Sequence, residues 1–181
     1  MGVWTIAVIG SDSGLERSLP IAALLGKALA KRGLNIVIGA GGGREGLPLH
    51  AARAAKAAGG RVFGVSPWSS VREHKLKRKN KSDIFDFVTY TGFGVKGRNV
   101  VLVRSADAVI MVGGAMGTLN EFSVAFDEGK IIGIVEGSGG TSDRIRGIAP
   151  LGRDRGARIV YSSDPLRLVD AVLKLLNKYG S

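Results

Sequence analysis

Three glycine-rich loops contain the residues of this sequence best suited to bind a ligand. They span residues 10–14, 40–46 and 113–118. Glycine lets the backbone approach a ligand closely, and the unpaired N–H groups at a helix amino end carry partial positive charge. Three such loops predict a site for one phosphate-bearing small molecule, with binding candidates Gly10, Ser11, Ser13, Gly42, Gly43, Gly114, Gly117 and Thr118.

Glu121 has two interpretations. It lies three residues after Thr118, so the segment 118–121 fits a capping box in which Glu121 only satisfies backbone donors, a role that contributes about 1 kcal/mol. In the second interpretation its carboxylate points into the ligand cleft, beside a phosphate-binding turn. The pattern alone favours the cap.

Arg98 is the second individual candidate. We expect a helix over about residues 96–105, which places Arg98 in its first turn. A cation there opposes the helix dipole and costs a few tenths of a kcal/mol unless an anion is near. This mild misfit favours a functional arginine.

The composition excludes several other kinds of site. The chain has no cysteine and only two histidines, His50 and His74, so we expect no thiolate chemistry and no metal site. The first loop lacks the third glycine of the dinucleotide fingerprint, and no residue set suits a pyridoxal Schiff base. We therefore predict no bound cofactor.

The elements that must position these loops alternate between strand and helix from end to end. Apolar runs predict strands at 3–9, 35–39, 61–65, 87–90, 108–112, 131–135 and 158–161. Helical patterns fall at about 20–32, 47–58, 96–105, 118–128 and 142–148, and from Pro165 onward. The order predicts a single α/β domain over 1–181, a Rossmann-like doubly wound parallel sheet of about seven strands with helices on both faces. Ligands of such sheets bind at the carboxyl ends of the strands, where the three loops lie.

The net charge of +11 is partly local, because residues 72–81 hold six basic residues and one acid. A solvated loop is the favoured interpretation of this segment, and attraction of phosphates or nucleic acid is the alternative. No aromatic residues interleave it, so nucleic-acid binding is the least favoured hypothesis. No apolar stretch reaches the length of a membrane helix and no leader is visible, so we expect a cytoplasmic protein with no membrane partner.

The loops also resemble those of a known family. Residues 113–121, GGAMGTLNE, resemble the PGGxGTxxE motif of the LOG proteins, which are cytokinin riboside 5′-monophosphate phosphoribohydrolases often labelled "possible lysine decarboxylase". Arg98 precedes this motif by fifteen residues, a spacing similar to that of the family's arginine. Residues 10–14 are similar to its GSSxG turn, and residues 40–47 and 57–65 to its YGGGxxGLM and AAGGxVIGV segments. The resemblance covers roughly the first 135 residues.

The resemblance implies a homodimer or higher homo-oligomer that hydrolyses the N-glycosidic bond of a nucleoside 5′-monophosphate, giving free base and ribose 5-phosphate. Arg98 and Glu121 would be the catalytic pair. The last loop would hold the phosphate through Gly114, Gly117 and Thr118. The other two loops would line the pocket with Ser11 and Gly43.

Four departures point to a sister branch. The motif's proline is Gly113 and its second glycine Ala115, while Asn99 and Pro48 replace the usual lysine and methionine. These features resemble the molybdenum cofactor carrier proteins, which bind a phosphorylated pterin. A non-catalytic carrier or sensor of a nucleotide or molybdopterin-type cofactor is therefore the alternative to a hydrolase.

Overall fold

The computed structural model describes residues 3–11, 16–41, 46–78 and 84–180. Its seven strands are β1 (Thr5–Gly10), β2 (Asn35–Gly39), β3 (Val62–Ser66), β4 (Phe87–Tyr90), β5 (Ala108–Val112), β6 (Ile131–Val135) and β7 (Arg158–Ser162). Its α-helices are α1 (Leu19–Lys31), α2 (Leu47–Ala57), α3 (Val71–Lys77), α4 (Gly94–Arg104), α5 (Met116–Asp127), α6 (Ile145–Ile148) and α7 (Pro165–Tyr179).

The strands form one sheet in the order β4-β3-β2-β1-β5-β6-β7, and every neighbouring pair is parallel. The predicted seven-stranded Rossmann-like sheet is confirmed. The winding direction reverses at β1, which pairs with β2 on one side and β5 on the other. Gly10 and Val112 are in register, so the loops that follow β1 and β5 leave the sheet side by side.

Alternate residues of β1 supply two separate cores. Ile6 and Val8 face the core shared with α1, α2 and α7, whereas Ala7 and Ile9 face the core shared with α4, α5 and α6. A parallel sheet with helices on both faces needs apolar residues on both sides of each central strand. This explains why the strands read as continuous apolar runs.

Helix α3 corrects the expected loop in the basic segment. Its amino end is capped by Ser70, whose hydroxyl accepts a hydrogen bond from the Glu73 N–H at 3.2 Å. The Glu73 carboxylate in turn accepts from the N–H and hydroxyl of Ser69, at 3.0 and 2.8 Å. Ser70 and Glu73 match the S-x-x-E pattern of a capping box, although Glu73 accepts from Ser69 rather than from the Ser70 N–H. The sequence did carry the signal for this helix.

The longest described helix is α7, with 15 residues. No helix in the described ranges combines the length and the apolar character that crossing a bilayer requires.

Candidate functional site

The two predicted catalytic residues face each other across helices α4 and α5. Arg98 Nη1 donates a hydrogen bond to Glu121 Oε1 at 3.2 Å, and each side chain is 9% exposed. The capping-box interpretation of Glu121 is therefore wrong. Helix α5 begins at Met116, so Glu121 is its sixth residue, and Thr118 Oγ1 accepts instead from the Ala115 N–H at 3.4 Å.

Arg98 owes its position to a glycine at the end of β2. Helix α4 starts at Gly94, so Arg98 lies in its second turn rather than the predicted first turn. Its guanidinium lies so close to Gly39 that a Cβ added there would be 2.2 Å from Nη1 of Arg98. The anion beside Arg98 is the protein's own Glu121, and the second-turn position of Arg98 removes the expected conflict with the helix dipole. Sequence reasoning missed Gly39, although a glycine directly before a ligand loop was a usable signal.

The turn before α5 requires its two glycines. Gly113 has φ +62° and Gly114 has φ +121°, in the region that other residues rarely adopt. A Cβ on Gly114 would also lie 2.4 Å from Thr141 Oγ1. After this turn the first N–H groups of α5 have no acceptor within their own helix, which makes the helix amino end a suitable site for an anion.

A cavity of about 490 Å³ opens at the carboxyl ends of the central strands. It is lined by Gly10, Ser11, Val95, Lys96, Arg98, Asn99, Ala115, Gly117, Thr118 and Glu121. Two of the three predicted loops thus meet at the predicted edge of the sheet. Gly114 belongs to the turn beside this cavity and is not among the described residues that line it. Ser13, Gly42 and Gly43 lie outside the described residues.

Lys96 and Asn99 are lining residues that were not predicted as site residues. A Cβ on Gly117 would be 3.7 Å from Lys96 Nζ, so this ammonium lies beside the first turn of α5. Within the described parts of the chain, no carboxylate is within ion-pair distance of Lys96. Asn99 Nδ2 donates to Asn120 Oδ1 at 2.9 Å and thereby ties α4 to α5. Lys96 is two residues before Arg98, and this proximity was the available signal.

The charges of the site suit an anionic ligand. Arg98 and Glu121 neutralise each other, whereas Lys96 and the amino end of α5 contribute positive charge to the same cavity. Among the described residues, no three His, Asp or Glu side chains are grouped closely enough to bind a metal ion.

Comparison with known proteins identifies the family. The model of the SLOG cluster4 family matches residues 3–166. The chain belongs to this family. A relative in Archaeoglobus fulgidus, described as an uncharacterized protein, is 34% identical over 130 residues, covering 72% of this chain and 78% of its own.

Two solved structures resemble this SLOG cluster4 protein over almost their whole length. The molybdenum cofactor binding protein of Rippkaea orientalis is 26% identical, with a TM-score of 0.75 over 97% of this chain and 99% of its own. The Moco carrier protein of Chlamydomonas reinhardtii is also 26% identical, with a TM-score of 0.79 over 98% and 99%. The predicted likeness to molybdenum cofactor carriers is confirmed, while membership of the LOG hydrolases stays a prediction.

Proposed function

We propose that this protein binds a phosphorylated, nucleotide-like small molecule, with its phosphate between Lys96 and the amino end of α5. The observation that carries the proposal is the position of Lys96 Nζ next to Gly117, with no described carboxylate to balance its charge. Thr118 and Ser11 line the same cavity and offer hydroxyl groups to phosphate oxygens. A cation and a helix amino end that converge in one cavity favour a phosphate over a neutral ligand.

The cavity also suits the rest of such a ligand. Its volume of about 490 Å³ is within the range of roughly 300–1,000 Å³ that is usual for small-molecule sites. Val95 and Ala115 give part of the wall an apolar character that can contact a flat base or pterin ring. The two solved neighbours, whose names state that they bind or carry the molybdenum cofactor, support a ligand of this class.

Carrier and hydrolase functions make different demands on Glu121. In hydrolysis a water molecule would add to the anomeric carbon, the bond to the base nitrogen would break, and the base would leave with a proton. A carboxylate can stabilise the oxocarbenium charge and orient that water. In this structure Glu121 already accepts a hydrogen bond from Arg98. That contact favours the carrier function, because catalysis would require Glu121 to contact the ribose instead.

The test combines detection of a retained ligand with a turnover assay. Native mass spectrometry of the purified protein should show a bound phosphorylated molecule, and titration with nucleoside 5′-monophosphates should show saturable binding. Lys96→Ala should weaken this binding, whereas Lys174→Ala, which removes an exposed lysine of α7 on the other side of the sheet, should not. Absence of binding to any phosphorylated probe would overturn the proposal.

Chromatography of the same mixtures distinguishes the two functions. Bound ligand without release of free base identifies a carrier or sensor. Base release that disappears in Glu121→Gln identifies a phosphoribohydrolase. The homodimer that the family resemblance implies stays a prediction, and light scattering of the eluted protein tests it.

A further inference from the structure

The loop after β6, residues 136–143 (the β6 loop), forms hydrogen bonds to the turn of Gly113 and Gly114 that leads into α5. The N–H of Gly113 donates to Ser138 Oγ at 2.8 Å, and Ser142 Oγ donates to the carbonyl oxygen of Gly113 at 2.6 Å. Ser138 and Ser142 are fully buried. Two buried hydroxyls therefore hold both backbone polar atoms of one glycine.

The backbone of this loop adds two further bonds to the turn. The N–H of Ser142 donates to the Gly113 carbonyl, and the N–H of Thr141 donates to the Gly114 carbonyl, both at 3.1 Å. Gly140 is so close that a Cβ there would be 2.1 Å from the Gly114 oxygen. The carbonyl oxygens of Gly113 and Gly114 thus face the β6 loop, whose residues do not line the described cavity.

The loop is itself braced at several points. The Asp143 carboxylate accepts from the N–H groups of Gly137 and Gly139, at 2.8 and 3.1 Å. Ser18 Oγ donates to the Ser138 carbonyl at 2.9 Å, and the Ser138 hydroxyl donates to the Val135 carbonyl at the end of β6. The Ser138 hydroxyl therefore has a fixed donor and a fixed acceptor, so its orientation is determined.

This bracing matters because a turn of two glycines has several accessible conformations. If the peptide group after Gly113 or the one after Gly114 rotated, its carbonyl oxygen would face the cavity and repel an anion there. We propose that Ser138 and Ser142 are positioning residues. Ser138 fixes the peptide group before Gly113 through the Gly113 N–H, and Ser142 holds the Gly113 carbonyl away from the cavity. The N–H groups at the amino end of α5 therefore face the phosphate. The inference rests on the proposed function, and neither serine contacts the ligand.

The experiment compares ligands that differ only by the phosphate. Affinities for AMP, inorganic phosphate and adenosine are measured for the wild type, Ser138→Ala and Ser142→Ala. Ser105→Ala is the control for loss of a serine hydroxyl, because the Ser105 hydroxyl also donates to a carbonyl, that of Leu102, but at the exposed carboxyl end of α4. Loss of the orienting bonds should weaken AMP and phosphate binding by about tenfold or more. Adenosine affinity, and all affinities of the control, should stay within about twofold.

The outcomes separate the two ideas. If the wild type binds no phosphorylated probe, AMP and inorganic phosphate included, the proposed function fails and this inference with it. If the wild type binds and both serine variants retain its affinities, or lose AMP and adenosine equally, the proposed function stands and the positioning role is refuted. Should both variants unfold, Ser18→Ala loosens the loop through the Ser138 carbonyl alone. It should lower AMP affinity selectively, and unchanged selectivity would equally refute the role.

Discussion

The contact between Gly39 and Arg98 leads to a prediction that isolates the position of the arginine. The change is Gly39→Ala, which adds a single methyl group at the end of β2. Gly39 is not among the described glycines with positive φ, so alanine fits its backbone. The new Cβ would lie 2.2 Å from Nη1, 2.5 Å from Cζ and 2.6 Å from Nη2 of Arg98. The guanidinium must therefore move by about 1 Å or more to reach ordinary contact distance.

The expected cost follows from what that movement breaks. The hydrogen bond from Arg98 to Glu121 is already 3.2 Å long, and both side chains are only 9% exposed. A hydrogen bond between charged groups contributes about 1.5–3 kcal/mol. The pair lines an open cavity where water can reach the displaced groups, so we expect a loss of about 2 kcal/mol. For a chain of this size that corresponds to a fall in Tm of about 4–8 °C.

The assay is a double-mutant cycle. Urea unfolding followed by circular dichroism gives the free energy of unfolding for the wild type, Gly39→Ala, Arg98→Ala and the double variant. Without the guanidinium, the added methyl group should be neutral or stabilise by about 0.4–1 kcal/mol, because alanine restricts the unfolded chain. The coupling free energy should therefore be about 2 kcal/mol or more. If Gly39→Ala costs the same in both backgrounds, the close packing of Arg98 on Gly39 is not what holds the arginine.

Three further predictions concern the turn before α5 and the region of α3. Gly114→Ala should destabilise the protein by about 1–3 kcal/mol and weaken phosphate binding, measured by urea unfolding and calorimetry; a neutral variant would contradict the turn geometry. Burial first, and Arg78 second, lower the pKa of His74 from 6.5. In the folded protein His74 binds a proton less readily than it does in the unfolded chain. The free energy of unfolding should therefore be unaffected by His74 above about pH 6.5 and should decrease as the pH falls below that value. This slope should flatten in His74→Asn. Hydrogen bonds from Lys77 and then from Ser69 lower the pKa of Glu73 from 4.5 to about 2. The stability that this carboxylate contributes is present above pH 4.5 and lost as the pH falls through 2. An NMR titration of Glu73 should show the low pKa, and Lys77→Ala should raise it; an unchanged value would contradict the contact.

The fold was predictable because the sheet is buried on both faces. Runs such as residues 108–112 are apolar throughout, which distinguishes strands of a parallel sheet from the helical spacing between them. Topology then places the loops after β1 and β5 side by side, since ligand loops follow the carboxyl ends of strands. Pattern and topology together therefore led to the cavity.

The details of the site depended on facts that pattern does not contain. The capping-box pattern occurs at both 70–73 and 118–121, but only Ser70 lies where a helix begins. The start of α5 is set by the backbone of Gly113 and Gly114, which moves it to Met116 and leaves Glu121 to face Arg98. Lys96 lies beside Gly117, and Arg98 beside Gly39, because α4 packs on both α5 and β2. Such contacts arise only in the folded chain.

The central position of β1 has a consequence for synthesis on the ribosome. On one side of β1 the sheet is complete once the chain has reached residue 90. On the other side, β1 pairs with β5, which lies about 100 residues after β1 in the chain. A nascent chain at this stage has an apolar strand with one unpaired edge, which neighbouring chains could pair with. The emergence of β5 closes that edge and brings Val112 beside Gly10 in the same step. Protection of this edge therefore coincides, during translation, with the juxtaposition of the two strand ends from which the cavity loops begin.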